Sequence, residues 1–184
     1  MEIILIRHGK PTSTDSPALN AADYTKWIRR YNFSNVADES RPESINTDLK
    51  GYYLISSHYP RAIHSAEIYT GRKPDHVSPL YKEMEIPRYK LPFSFKPMTW
   101  VYLSRVLWML GLKGSFESYR LARKRAEMAA EQLISLAHEK GKVVLFGHGY
   151  MNFHIRRVLI KQGWSLNYKS NAFWGLSSLE VKTT

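Results

Sequence analysis

Four side chains that could bind or attack a phosphate group follow segments predicted to be buried strands. Arg7 and His8 come directly after the apolar run "IILI", and His148 follows a second apolar run, "VVLF", and one glycine. Arg61 stands just beyond a third strand, predicted at 51–57. Ligands of open α/β sheets bind beyond the carboxyl ends of the strands. We therefore expect these side chains to meet in one cationic pocket.

The chemistry available to such a pocket is phosphoryl transfer. Guanidinium groups match phosphoryl oxygens in bidentate geometry and keep their charge. A neutral imidazole is a nucleophile, and neighbouring arginines keep it neutral by penalising its charged form. A second, protonated histidine would stabilise the same oxygens. Helices that start just after the carboxyl ends of these strands would add amide N–H groups as further donors.

Transfer to a histidine also needs an acid that protonates the leaving alcohol. Glu83 and Glu85 are the candidates, because both follow a short strand predicted at 75–80. The residues alone leave the choice between these two carboxylates open.

The elements that must position these residues alternate between strands and helices, which predicts an α/β sheet covered on both faces. Further strands are expected at 2–6, 142–147 and 176–183. Helices are expected at 18–31, 60–70, 98–112 and 115–140, and after Gly149. Gly71 and Gly141 are predicted to end two of them, since glycine adopts the backbone conformation that stops a helix.

Composition predicts one domain over 1–184, with 43% hydrophobic residues and a net charge of +11. The chain contains no cysteine, which excludes disulfides, thiolate metal sites and a cysteine nucleophile. The start "MEIILIRHG" lacks the basic segment of a secretion signal, so a cytoplasmic location is expected. The positive charge indicates an anionic partner rather than a particular fold.

Five blocks of sequence resemble a known superfamily. "LIRHGKP", "SSHYPRAIHSAE", "PLYKEMEI", "GSFES" and "VVLFGHG" are similar, in this order, to the signature blocks of the histidine phosphatases, which include the cofactor-dependent phosphoglycerate mutases. The resemblance implies a three-layer sandwich with a mostly parallel central sheet and small helical cap insertions. It also implies a phosphoric monoester hydrolase of the histidine acid phosphatase type, which forms a phosphohistidine and needs neither metal nor cofactor. The expected partner is a small phosphorylated substrate.

The same resemblance assigns roles to individual residues. His8 would be the phosphorylated nucleophile, and Glu83 would be the general acid. The remaining phosphate-binding residues would be Arg7, Arg61, His148 and the backbone N–H of Gly149. Lys10 departs from the Glu or Gln that is common after the R-H-G triplet, and Pro87 stands where a glycine is common. The second departure keeps Glu85 open as the acid.

Two segments, at about 13–50 and 86–115, are the least explained by the blocks, and we expect them to form a cap over the pocket. Residues expected to contact the substrate are Lys10, Trp27, Arg30 and Trp100. The aromatic segment 98–112 is too short and too interrupted by Arg105 to span a bilayer. Packing on the core, contact with a membrane surface and a dimer face stay open for it.

Other functions stay open at this point. Within the superfamily these are a phosphoglycerate mutase, which is disfavoured by the short chain, and a protein phosphohistidine phosphatase. Outside it, a non-catalytic anion-binding module or a metal-dependent hydrolase would use some of the same residues. Nucleic acid is disfavoured as a partner, because acids follow the basic cluster in "RKRAEMAAE" at helical spacing.

Overall fold

The computed structural model describes residues 1–12, 16–42 and 47–181. The strands are β1 (Glu2–Arg7), β2 (Tyr53–Ser57), β3 (His76–Ser78), β4 (Lys142–Gly147), β5 (Ser165–Lys169) and β6 (Leu176–Glu180). The helices are α1 (Ala21–Asn32), α2 (Pro60–Thr70), α3 (Pro97–Met109), α4 (Tyr119–Lys140) and α5 (Gly149–Lys161), and a 3₁₀ turn covers Pro79–Tyr81.

These strands form one sheet in the order β3-β2-β4-β1-β6-β5. The first four are parallel, whereas β6 and β5 are antiparallel additions at one edge. The register pairs Arg7 with Gly147 and Ser56 with Phe146, so the carboxyl ends of β1, β2 and β4 lie side by side. The prediction of a mostly parallel α/β sheet is confirmed.

The sheet is buried on both faces because its central strands are apolar at successive positions. Ile3 and Leu5 face a core cluster with residues of α4 and α5. Ile4 and Ile6 face the opposite cluster, which includes Ala66 of α2. The result is the expected sandwich of helices, sheet and helices.

Helix ends differ from the predicted ones where a polar side chain caps the first turn. The helix predicted from residue 18 begins at Ala21, because the side chain of Asn20 accepts a hydrogen bond from the Asp23 N–H (2.9 Å). Ser118 has the same role in α4, which therefore begins at Tyr119 rather than near 115. Gly71 has a positive φ of 69° and ends α2 as predicted.

Strand β5 was not predicted from the sequence. Leu166 and Tyr168 alternate with polar residues in it, a short pattern of the kind that a strand shows, although all five residues are exposed. It pairs only with β6, at the edge of the sheet.

Helices α1 and α3 share a separate hydrophobic cluster with the Pro-rich segment before α3. Its buried members are Tyr24, Trp27, Ile28, Ile86 and Trp100. The Tyr24 and Trp100 rings stack with centroids 5.0 Å apart. This cluster joins the two predicted cap segments, of which residues 13–15 and 43–46 lie outside the described ones. That they cap a substrate stays a prediction. Within the described ranges, no helix is long and apolar enough to cross a membrane.

Candidate active site

The carboxyl edge of the sheet brings His8, Arg61 and His148 together in the interior. The rings of the two histidines meet edge to face with centroids 5.1 Å apart. Arg61 Nε lies 3.1 Å from His8 Nε2. His8 is 2% exposed, and the other two side chains are fully buried. Three residues far apart in the sequence therefore form one compact group.

The hydrogen bonds of His8 determine which ring nitrogen has a free electron pair. Nδ1 lies 2.7 Å from the carbonyl oxygen of Gly9, which can only accept, so Nδ1 carries the proton. Nε2 accepts from Arg61 Nε, which can only donate. Burial, and then the charge of Arg61, lower the pKa of His8 well below 6.5. His8 is thus a neutral imidazole with its electron pair on Nε2.

Arg61 is a buried cation without an anionic partner. Its Nη1 donates to the carbonyl oxygens of Tyr31 (2.9 Å) and Asn32 (3.0 Å) in the last turn of α1. Its Nη2 is buried and has no hydrogen-bond partner. Among the residues that the structure describes, no carboxylate forms a salt bridge with Arg61 or Arg7. A buried charge is costly unless it is paired, so this place favours an anion.

Arg7 lies beside the start of α5 and extends the cationic surface. Its Nη1 donates to the Asn171 carbonyl oxygen (2.8 Å), and its guanidinium carbon lies 4.1 Å from the centre of the Phe173 ring. A side-chain carbon added at Gly149 would lie 3.2 Å from Arg7 Nε. Glycine at 149 therefore lets the guanidinium approach the helix N-terminus closely.

His148 is held at the N-cap of α5 by Ser57 from the end of β2. His148 Nε2 lies 2.8 Å from Ser57 Oγ, whereas its Nδ1 is buried and has no hydrogen-bond partner. Burial, followed by the charge of Arg61, lowers the pKa of His148 well below 6.5. His148 is therefore neutral in this structure, which differs from the protonated state expected from the sequence. The physical reason is that burial penalises the charged imidazole, and the nearby charge of Arg61 adds to this penalty.

The geometry separates the two candidate acids. Glu83 accepts hydrogen bonds from the backbone N–H groups of Tyr150 (3.2 Å) and Met151 (2.9 Å) in the first turn of α5. Glu85 instead pairs with Lys82 (3.3 Å) and accepts from the Glu117 N–H (3.0 Å). Of the two, only Glu83 lines the pocket that also contains Arg7 and Gly149.

That pocket has a volume of about 530 Å³ and lies between α1, α3, α5 and the loop before β6. Trp27, one of the predicted substrate contacts, lines it. Lys10 and Arg30 are exposed and are not among its lining residues. The prediction for Trp100 is wrong, because its ring is fully buried in the cluster between α1 and α3 and its Nε1 donates to the Leu19 carbonyl oxygen.

Arg105 lines the pocket, although its role as a pocket residue was not predicted from the sequence, where it interrupts an apolar segment. Its Nη2 donates to the Met84 carbonyl oxygen (2.7 Å), and its guanidinium carbon lies 4.6 Å from the centre of the Tyr150 ring. A lone arginine in an aromatic helix is the signal that could have found it. Such a cation is retained only where a partner or a ligand stabilises it.

Acid is expected to destabilise the fold through His8 and His148, the two buried histidines of this site. Their pKa values are lowered, so the unfolded chain takes up protons below pH 6.5 that the folded chain does not. The free energy of unfolding should then fall by about 1.4 kcal/mol per pH unit for each histidine. Urea unfolding between pH 7 and 5 measures this slope. A His148→Gln variant should have a shallower slope, and an unchanged slope would contradict the buried neutral state of His148.

The similarity of this chain to known proteins lies in its three-dimensional structure. No protein-family model and no curated protein matches the chain. Solved structures do: a phosphoserine phosphatase from Entamoeba histolytica has a TM-score of 0.58 at 15% identity, covering 96% of this chain and 89% of that one. A mycobacterial glucosyl-3-phosphoglycerate phosphatase has a TM-score of 0.53 at 15% identity, covering 87% and 79%. The chain thus has the fold of these solved phosphatases, an α/β sandwich of the kind that its sequence blocks predicted.

Proposed function

We propose that the protein is a phosphomonoesterase that transfers the phosphoryl group of a small substrate to His8 and then to water. The observation that carries this proposal is the buried Arg61 guanidinium, which has no carboxylate partner and lies against an imidazole nitrogen that can only accept. A phosphate group satisfies both, because its oxygens accept from the guanidinium and its phosphorus accepts the electron pair of Nε2. The fold shared with solved phosphatases agrees with this proposal.

In the first step, Nε2 of His8 attacks phosphorus while the bond from phosphorus to the alcohol oxygen breaks. Arg61 Nε gives up its hydrogen bond to Nε2 and donates to a phosphoryl oxygen, together with the unpartnered Nη2. Arg7 and the N–H of Gly149 at the start of α5 stabilise the other oxygens. The leaving alcohol takes a proton from Glu83.

In the second step, water attacks the phosphohistidine. Glu83, now ionised, removes a proton from the attacking water, and the N–P bond breaks to return the electron pair to Nε2. Nδ1 keeps its proton and donates a hydrogen bond to the Gly9 carbonyl oxygen throughout, which keeps the ring oriented. No step uses a metal ion. Among the described residues, no group of three or more His, Cys, Asp or Glu side chains is placed to hold one.

The first test of the function is turnover of 4-nitrophenyl phosphate by the purified chain with a metal chelator present. We expect release of nitrophenol and inorganic phosphate with saturation kinetics, and inhibition by vanadate or inorganic phosphate. If the chain releases no phosphate but binds inorganic phosphate, the non-catalytic anion-binding module replaces the enzyme.

The role of Glu83 predicts that the effect of its removal depends on the leaving group. Glu83→Gln should lower kcat by about 10²-fold or more for an alkyl phosphate, whose alcohol needs a proton. The loss in kcat should be at least about tenfold smaller for 4-nitrophenyl phosphate, because its leaving group, 4-nitrophenolate, is stable as an anion. Glu85→Gln is the matched control and should change neither rate more than a few-fold. Equal losses on both substrates would contradict the assignment of Glu83 as the acid.

A further inference from the structure

We infer that the alcohol part of the substrate is apolar, an alkyl or aryl group that binds against α3. This inference rests on the proposed function, because the phosphoryl site determines which end of the substrate enters the pocket. It goes further by naming the chemical class of the leaving group. The pocket wall formed by α3, the aromatic residues facing it and the small number of free polar groups support it.

Helix α3 has two apolar faces, and only one of them is covered by protein. Trp100, Ser104 and Trp108 are buried on the first face. The second face lines the pocket with Met98, Tyr102, Val106 and Met109, which are 52%, 69%, 49% and 45% exposed. Their spacing of four, four and three residues places them in one row along the helix. An apolar ligand in the pocket would remove this row from water.

The walls facing α3 are aromatic. They are formed by Trp27 from α1, by Tyr150 and Phe153 from α5, and by Phe173 from the loop before β6. The rings of Tyr150 and Phe153 stack with their centroids 6.1 Å apart, which makes the α5 wall continuous. A volume of about 530 Å³ is within the size range of small-molecule sites. The space is therefore sufficient for a chain or ring system considerably larger than the phosphoryl group.

Few polar side chains remain for a hydroxylated or charged leaving group. Arg7 and Glu83 are used in the transfer itself. Asn171 holds Arg7 through its backbone carbonyl oxygen and accepts from Arg156 through its side-chain oxygen (3.4 Å). Arg105 has one nitrogen bound to the Met84 carbonyl oxygen. Arg105 Nη1, Trp27 Nε1 and Arg7 Nε have no hydrogen-bond partner, and because Arg7 is used in the transfer, the other two are the nitrogens that could select a polar substituent. Polar groups placed against the other walls would lose water without gaining a partner.

The test is a series of n-alkyl phosphates from ethyl to hexyl, compared with 3-phosphoglycerate and O-phosphoserine. We expect kcat/KM to rise about threefold per methylene, so that hexyl phosphate exceeds ethyl phosphate by about 100-fold. It should also exceed both polar substrates. A flat series, or a preference for 3-phosphoglycerate or O-phosphoserine, would overturn the inference and point to Arg105 as a carboxylate-binding residue.

A substitution in the pocket wall tests the same inference by changing the protein instead of the substrate. Val106→Asp should lower kcat/KM for hexyl phosphate at least about tenfold more than for methyl phosphate, whose leaving group is small, so that the dependence on chain length becomes shallower. Leu121→Asp on α4 is the control, since Leu121 is similarly exposed (54%) but does not line the pocket. If Val106→Asp has no effect on hexyl phosphate, the apolar group does not bind against α3.

Methyl phosphate also distinguishes failure of this inference from failure of the proposed function. If the wild type hydrolyses methyl phosphate but shows no dependence on chain length, only the inference about the leaving group is wrong. If it hydrolyses neither methyl phosphate nor any other alkyl phosphate, the proposed function is wrong, and the inference that rests on it falls as well.

Discussion

Replacing Arg61 by alanine is expected to lower kcat/KM for a phosphate monoester by about 10³-fold. The side chain contributes a fixed positive charge and two nitrogens, Nε and Nη2, that can donate to the transferring oxygens. The site excludes water, because His8 and Arg61 are almost fully buried, and charge stabilisation is strong in such a place. The measurement is steady-state kinetics with 4-nitrophenyl phosphate and hexyl phosphate.

Arg61→Lys separates charge from geometry. A lysine keeps the charge but cannot contact His8, the α1 carbonyl oxygens and phosphate together, so we expect a loss of at least about 10²-fold. Arg72→Ala is the matched control. Arg72 also donates to a backbone carbonyl oxygen, that of Tyr52, but it follows the far end of α2. Thermal unfolding of each variant checks the fold. Near-normal activity in a folded Arg61→Ala protein would contradict the phosphate-binding role.

Replacing His8 by alanine is expected to remove turnover, with a loss of at least about 10⁴-fold, because His8 Nε2 supplies the attacking electron pair. His148 is an alternative imidazole, but its Nε2 is held by Ser57 Oγ and its unpartnered Nδ1 is fully buried. The loss should be the same for 4-nitrophenyl and alkyl phosphates, since the nucleophile is needed whatever the leaving group. This distinguishes His8 from Glu83.

His154→Ala is the control for His8→Ala. His154 is a third buried histidine, 6% exposed, and it packs in α5 against Tyr119, Tyr150 and Phe153. Its removal should lower the free energy of unfolding by about 1–3 kcal/mol and leave kcat within a few-fold. A His8→Ala protein that is folded and retains more than about a hundredth of wild-type kcat would show that His8 is not the nucleophile.

The parallel part of the sheet could be predicted because its strands are near-continuous apolar runs, each followed by a polar corner. The meeting of His8, Arg61 and His148 follows from that topology, since parallel strands end at the same edge. Strand β5 was missed because only two apolar residues, Leu166 and Tyr168, carry its alternating pattern, and such a short pattern is a weak signal. The starts of α1 and α4 were missed because the side chains of Asn20 and Ser118 determine them by accepting hydrogen bonds from the first turn. The predicted starts followed the spacing of apolar residues instead.

Contacts made across the fold were beyond prediction. The carbonyl oxygens of Tyr31 and Asn32 orient Arg61, although backbone atoms have no signature in the sequence. The choice of Glu83 over Glu85 depends on the position of the α5 N-terminus, which only the packing of α5 determines. Trp100 was predicted to touch the substrate because it is aromatic, yet the same property buries it against Tyr24. Residue type therefore indicated which side chains are important but not which of them face the pocket.

The most direct measurement is to locate the phosphoryl group on the protein after rapid denaturation in base during turnover, conditions in which a phosphohistidine survives. Phosphorus NMR and peptide mass spectrometry together identify both the residue and the ring nitrogen. The account predicts one phosphoryl group on Nε2 of His8, because Nδ1 holds a proton for the Gly9 carbonyl oxygen, and it predicts no label in His8→Ala. A label on Nδ1, on His148 or on a carboxylate, or turnover without any covalent label, would contradict it.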